Sequence, residues 1–452
     1  MIINIYHTND IHSNYDFFKR VHAYIRENKK ENDLYLDSGD FLDVSSLLVE
    51  FDGGISAMEI FMDSKLDCMT IGNNEVDLGL YNLEKLMDEE FPIISSNIYS
   101  SKLKPLRNLR RSMIIEVKDI KFLILGVSPY FSNNLKYSSY NTFYLLNDIQ
   151  ATNPVDELKK EFERYKGQYD HVIFLSHSGH FVDEYLKEFF NFDLILSGHT
   201  HVIINEGNYT MSGKGETLGK ITIDVDKDEL KVLENIQIDL PSVTNERFDR
   251  IFSEKMEIAG KILSKEIKVV NDLGFDPFKE NILINFLCDA LYKHYDVDFA
   301  FMHNGISEGP LTRPVSKYSI HKNFPSKLNP TIFTVKGSDL RKAILQSLDY
   351  EFIRQSGKGA GFRGTVLGTL GFSHNVKIKE SPFSVRINGI ELDDEKIYKV
   401  ASDDYLQRGT GYTSLRTFED VKHDKYFIRD FITLYLEDEE VYEQSKIKRL
   451  EK

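Results

Sequence analysis

The first half of the chain alternates short apolar runs with longer amphipathic stretches. The runs at residues 2–6, 34–36, 69–71, 122–125, 172–175 and 194–196 have the length and largely apolar composition of buried strands. Between them, residues 16–29, 55–63 and 153–166 repeat apolar positions at helical spacing. This alternation predicts a layered α/β domain. Residues 219–225 read as its last strand.

Residues 245–265 are polar with apolar positions at Phe248, Ile251, Phe252, Met256, Ile258 and Ile262, the pattern of one long helix. A second helical stretch, 281–292, opens a new region with strands at 299–302, 331–335 and 398–401 and a Gly-rich segment at 357–371. A chain of 452 residues exceeds one ordinary core. The expected organisation is a first domain over 1–235, a connecting helix over 236–265 and a second domain over 266–452.

The apolar fraction of 41% and charged fraction of 28% fit a soluble globular protein. The formal net charge of −15 repels nucleic-acid polymers and anionic membranes, so recognition of a phosphate has to come from a local site. Two cysteines, Cys68 and Cys288, lie in apolar stretches and read as buried thiols. The N-terminus goes straight into a strand-like run with no secretory pattern, and no run reaches the ~18 apolar residues of a membrane span. A cytoplasmic location and no membrane partner are expected; oligomeric state is left open.

Candidate chemistry follows the strands. Five apolar runs end in residues able to bind a metal: Asp10 and His12 after the first, Asp40 after the second, Asn73 after the third, His177 after 172–175, and His199 and His201 after 194–196. In α/β sheets ligands gather beyond the carboxyl ends of the strands, so these seven are expected at one rim. Carboxylate, imidazole and amide oxygen together suit Mn or Zn, with Fe or Co as alternatives. Seven ligands are too many for one ion and enough for two if a carboxylate bridges, the arrangement of two-metal phosphoester hydrolysis. Glycines at 39, 72 and 198 allow tight turns beside the ions. Each fragment alone has an ordinary reading as a turn, cap or surface histidine; the joint order carries the inference.

Asp10-Ile11-His12, Gly39-Asp40, Gly72-Asn73, Ser176-His177-Ser178-Gly179 and Gly198-His199-Thr200-His201 together resemble the calcineurin-like metallophosphoesterase superfamily, specifically the 5′-nucleotidase family, over nearly the whole chain. The resemblance implies a metallophosphoesterase β-sandwich flanked by helices, followed by a C-terminal α/β 5′-nucleotidase-type domain. It implies one ion on Asp10, His12, Asp40 and His201 and another on Asp40, Asn73, His177 and His199, with Asp40 as the bridge. It also implies a nucleotide or related phosphoester as substrate.

One departure matters. The family block runs Gly-Asn-His-Glu, and here it reads Gly72-Asn73-Asn74-Glu75. Asn74 stands where the family has its catalytic histidine, and Asp77 where it has the carboxylate that orients that histidine. The block resembles a subgroup from Gram-positive bacteria, a likeness that extends to residues 317–330. An amide donates a hydrogen bond but supplies no proton at neutral pH. Substrates with good leaving groups, such as nucleotide pyrophosphates, nucleotide sugars or cyclic diesters, are therefore expected over 5′-monophosphates, unless His180, His303 or His321 replaces the missing group. In the family the second domain holds the base between two rings; Phe362 and Tyr405 occupy the corresponding positions. Ser307 stands where the family has an arginine, leaving Arg313 and Arg363 as candidate phosphate contacts. The rival expectations are a catalytically impaired metal- and nucleotide-binding module and a phosphodiesterase without base preference.

Overall fold

The computed structural model describes residues 1–131, 135 and 140–451. Its chain divides into two compact units, Met1–Ala259 and Gly260–Lys452.

The first unit is built on two mixed six-stranded sheets. One runs in the order Leu230–Ile238, Leu218–Val225, Ile2–Thr8, Leu34–Asp37, Cys68–Thr70, Ile93–Ile94; the other in the order Ile203–Glu206, Tyr209–Ser212, Leu194–Ser197, His171–Ser176, Ile120–Val127, Ser112–Val117. The strands that carry candidate ligands sit in the parallel part of each sheet. Parallel strands are covered on both faces, which explains why they read as largely apolar runs. The period of two sorts their side chains. Ile3, Ile5, Leu34 and Leu36 of one sheet meet Phe122, Ile124, Ile173 and Leu175 of the other in a shared core. Leu123, Leu125, Val172 and Phe174 point the opposite way, onto helices Pro154–Arg164 and His180–Lys187 through Val155, Leu158, Val182 and Leu186. On the far side of the first sheet, Phe61 packs on Tyr35, and Phe18 of helix Tyr15–Asn28 packs on Phe41 and Phe61. The result is the helix-flanked sandwich expected.

The unit does not close at residues 219–225. A further strand, Leu230–Ile238, pairs antiparallel with Leu218–Val225, so residue 235 lies inside an element. It is an edge strand with exposed and half-buried positions and several charged residues, which hid it from an apolarity-based reading. Helix Glu246–Leu263 follows, and its Phe248 packs on Phe18 and His22.

The second unit centres on a five-stranded sheet ordered Leu370–Phe372, Phe299–His303, Ile397–Asp403, Pro330–Lys336, Lys422–His423. Helix Ile282–His294 supplies Leu283, Phe286, Leu287 and Leu291 to its core. Cys68 and Cys288 are both buried free thiols. Among the described residues no helix is long and apolar enough to cross a membrane.

Candidate metal centre

The loops that follow Ile2–Thr8 and Leu34–Asp37 run on as a paired ribbon past the sheet. Asp10 N–H donates to Gly39 O at 2.9 Å, His12 N–H to Asp40 O at 2.8 Å and Ser13 N–H to Phe41 O at 2.9 Å. This pairing holds the backbone in the left-handed region at Asp10 (φ 51°), His12 (φ 50°) and Asp40 (φ 59°). His199 (φ 80°) and His201 (φ 57°) share it, so five of the seven candidate ligands sit in a conformation that costs about 1–3 kcal/mol each outside glycine. Gly72 is fixed by close approach: a Cβ there would lie 2.1 Å from Asp40 Oδ1. Gly39, at φ 90°, would place one 2.7 Å from Gly72 N.

Six of the seven are tied together by contacts around the two carboxylates. Asp10 Oδ1 lies 3.3 Å from His201 Nε2, 3.5 Å from His12 Nε2 and 3.6 Å from His177 Nε2. Asp40 Oδ2 lies 3.3 Å from His177 Nε2 and 3.8 Å from His12 Nε2. Two carboxylate-imidazole groups thus share Asp10: Asp10, His12 and His201, and Asp10, Asp40 and His177. Asp10 Oδ2 is held apart from them by Asn9 Nδ2 and the His199 N–H, both at 2.7 Å, which draws His199 to the same rim. Asp40 Oδ1 accepts the Asn74 N–H at 2.8 Å. Asn73 opens the helical turn Asn73–Val76 at that place.

The outer nitrogens of three imidazoles are engaged. His177 Nδ1 donates to Ser38 O at 2.5 Å, which leaves Nε2 without a proton when the ring is neutral. His12 Nδ1 lies 2.5 Å from the Asn74 side-chain nitrogen. His199 Nε2 lies 2.5 Å from the Tyr140 hydroxyl.

Asp10 Oδ1, His177 Nε2 and Asn73 Oδ1 are buried and have no hydrogen-bond partner. Buried polar atoms are seldom left so, and these belong to three of the seven candidate ligands. The charges agree. Burial pushes the Asp40 carboxyl up, but His177 and His12 outweigh it and hold it at about 2. Burial pulls the His177 imidazolium down, but Asp40 and Asp10 raise it to about 10. The carboxylates therefore stabilise positive charge strongly at this point, and a cation taking the place of that proton would release it. Burial and the neighbouring His177 lower His199 to about 4, so its ring is neutral near pH 7. The donor set fits divalent metal ions.

Three groups that hold this arrangement went unread in the sequence. Glu75 accepts N–H bonds from Asp40 (3.0 Å), Gly72 (2.8 Å) and Leu42 (2.9 Å), stapling two ligand loops; burial and the Asp40 charge raise it to about 7. Asp183 accepts hydroxyls from Ser176, Ser197 (2.5 Å) and Tyr209 (2.7 Å), joining the strand ends that lead to His177 and His199. Its signal was an acid between Val182 and Leu186 on the buried face of its helix. Tyr140, distant from every motif, gave none.

The calcineurin-like phosphoesterase family model matches residues 3–203, and the 5′-nucleotidase C-terminal domain model matches residues 264–417. The chain belongs to the 5′-nucleotidase family of calcineurin-like phosphoesterases. It is a phosphoester hydrolase by that membership. It is 26% identical to the uncharacterized metallophosphoesterase YunD of Bacillus subtilis, over 95% of this chain and 97% of that one. Its fold is similar to the 5′-nucleotidase precursor of Thermus thermophilus (TM-score 0.57, 16% identity, 100% and 99% of the two chains). It is also similar to the NAD nucleotidase of Haemophilus influenzae (TM-score 0.65, 14% identity, 97% and 96%).

The remaining residues singled out by likeness to 5′-nucleotidases are placed as follows. Asn74 is buried, with its amide against His12. Asp77 caps the turn Asn73–Val76, half-buried. His180 starts helix His180–Lys187, its Nδ1 3.3 Å from Thr200 Oγ. His303 is fully buried in the second unit, its Nε2 3.1 Å from Asp403 Oδ2 and its Nδ1 3.3 Å from Leu367 O. His321 is buried on helix Lys317–Asn323. Phe362 and Tyr405 do meet, but they stack on each other at 4.9 Å and 27°, both buried, with His303 against each ring. A base between two rings needs about 7 Å, two contacts of ~3.5 Å, so the pair is closed. Arg363 donates to Phe362 O at 3.0 Å. Arg313 pairs with Asp272 at 3.0 Å, and Ser307 Oγ donates to Gly309 O at 2.8 Å.

Proposed function

We propose that the protein is a two-metal nucleotide phosphoesterase that favours substrates with good leaving groups over nucleoside 5′-monophosphates. The observation that carries the reading is a pair of buried ligand atoms without a hydrogen bond, Asp10 Oδ1 and His177 Nε2, 3.6 Å apart and beside the Asp40 carboxylate. Asp10, His12, Asp40 and His201 would hold one ion and Asp40, Asn73, His177 and His199 the other, with Mn or Zn suited to the donors. Such ions neutralise phosphoryl charge and activate water as a nucleophile.

The chain's own residues set the rest. Ser38 O fixes the ring of His177, and Glu75 fixes the loops of Asp40 and Gly72. Asn74 supplies no proton to a leaving oxygen, and its side chain is occupied by His12. A leaving group that departs as a stable anion loses little by this; a nucleoside alkoxide loses a general acid worth about 10²–10⁴-fold.

The test is a kinetic panel with Mn²⁺: an activated aryl phosphodiester, nucleotide sugars, dinucleotides and nucleoside monophosphates. Diesters and pyrophosphates are expected to lead, and Asn74→His to raise monophosphate turnover more than diester turnover. A monophosphate as the best substrate by far would sink the leaving-group reading. No metal-dependent turnover on any of them would leave a metal- and nucleotide-binding module, the reading favoured by the engagement of Asn74 with His12.

A further inference from the structure

Two candidate ligand imidazoles, His177 and His199, each have one nitrogen occupied by an oxygen that is not a candidate ligand, but not the same nitrogen. For His177 it is Nδ1, and Nε2 faces the carboxylates. For His199 it is Nε2, 2.5 Å from the Tyr140 hydroxyl, so the atom left for an ion is Nδ1. The neutral ring carries one proton, and only the tautomer with that proton on Nε2 offers a bare Nδ1.

The hydroxyl is held on a rigid mount. Tyr140 O accepts the N–H groups of Phe143 and Tyr144, each at 3.0 Å, which starts the helical turn Asn141–Tyr144. The Asn141 side chain pairs with Ala151 at both ends, accepting its N–H at 2.8 Å and donating to its carbonyl at 3.0 Å. The Tyr140 ring meets the His199 ring edge-on, centroids 5.3 Å apart, which aligns the two polar atoms.

We propose that Tyr140 is a positioning residue of the metal centre: its phenol oxygen accepts the Nε2–H of His199 and thereby fixes the tautomer and ring angle that present Nδ1 to a divalent ion. This rests on the metal-dependent reading above. A hydrogen-bonded partner of a ligating histidine typically carries about 10–100-fold in metal affinity.

The test is Tyr140→Phe, which removes one oxygen. Chelator-stripped parent and variant are titrated with Mn²⁺ by calorimetry. The parent is expected to take two ions; the variant keeps one at parental affinity and binds the other at least ~10-fold more weakly. In a His199→Ala background the same substitution is expected to add nothing, because its effect runs through that ring. Long-range ¹⁵N–¹H correlation of the metal-free parent is expected to show His199 protonated on Nε2 alone, and the variant a mixture. Asn141→Ala, which loosens the mount, is expected to weaken the same ion by less. Parental affinities in Tyr140→Phe, or an equal loss with and without His199, would overturn the proposal. A parent that takes up no divalent ion would instead overturn the metal reading itself.

Discussion

At the rim of the first unit several buried polar atoms lack a hydrogen bond, whereas the ring pair of the second unit packs closed on a histidine bonded at both nitrogens. Around Asp10 and Asp40 the backbone is held in the left-handed region, buried ligand atoms lack partners, and glycines leave space that a Cβ would fill. Around Phe362 and Tyr405 the rings stack on each other, and His303 against them is bonded at both nitrogens. Strain and unpaired atoms persist only where the surroundings impose them, so the first site is preorganised for charge it does not itself contain. The second is complete as it stands, and a base enters only if the rings part. The candidate metal site presents ligand atoms that lack hydrogen bonds, whereas a base between these two rings would first have to part them.

The largest expected effect tests the first half of that contrast. Asp40→Asn removes the carboxylate that would serve both ions, and turnover of an aryl phosphodiester is expected to fall about 10³-fold or more, with metal content by elemental analysis falling below two equivalents. Retention of both ions would show that the rim is not organised around Asp40. Next, Gly72→Ala drives a methyl into Asp40 Oδ1 and is expected to cost about 1–3 kcal/mol in urea denaturation, with weakened metal uptake. An unchanged midpoint would mean that the loops are looser than their bonding implies.

The second half is tested by Tyr405→Ala. Loss of a stacking partner is expected to raise KM for nucleotides about 10-fold, in line with ~1–3 kcal/mol per stacked base, and to leave the aryl diester untouched. Equal effects on both would make the ring pair a packing element alone. The smallest effect concerns stability. His423 lies on an edge strand of the second unit with Nδ1 2.9 Å from Thr331 Oγ. Burial, with a contribution from Arg408, lowers it from 6.5 to about 4. The folded ring stays neutral while the unfolded one takes a proton, so its contribution is whole above pH 6.5 and is lost as pH falls from 6.5 towards 4. His423→Gln is expected to lose less in Tm than the parent across that window; parallel curves would refute the assignment.

Much of the first unit was legible because its central strands are parallel and doubly covered, so that largely apolar runs end abruptly at ligand loops. What the runs could not show were elements without that signature. Strands Leu230–Ile238 and Ile203–Glu206 lie at the edges of their sheets and expose much of their surface. The candidate ligands could be named from residue type and order. The groups that orient them could not. Ser38 acts through its carbonyl, Asp183 through three hydroxyls as far as 26 positions away, and Tyr140 across 59 positions to His199. The closing of Phe362 on Tyr405 was likewise invisible, since sequence places two rings near each other without stating the gap.

The ribbon formed by the loops after Ile2–Thr8 and Leu34–Asp37 has a consequence for how such a centre can be altered. Because Asp10, His12 and Ser13 are each bonded to the opposite loop, the two segments are held against each other. Inserting or deleting one residue in either would break that pairing and displace the carboxylate or imidazole it carries. Exchange of side chains at fixed length leaves that bonding intact, whereas a change of length disturbs both loops at once.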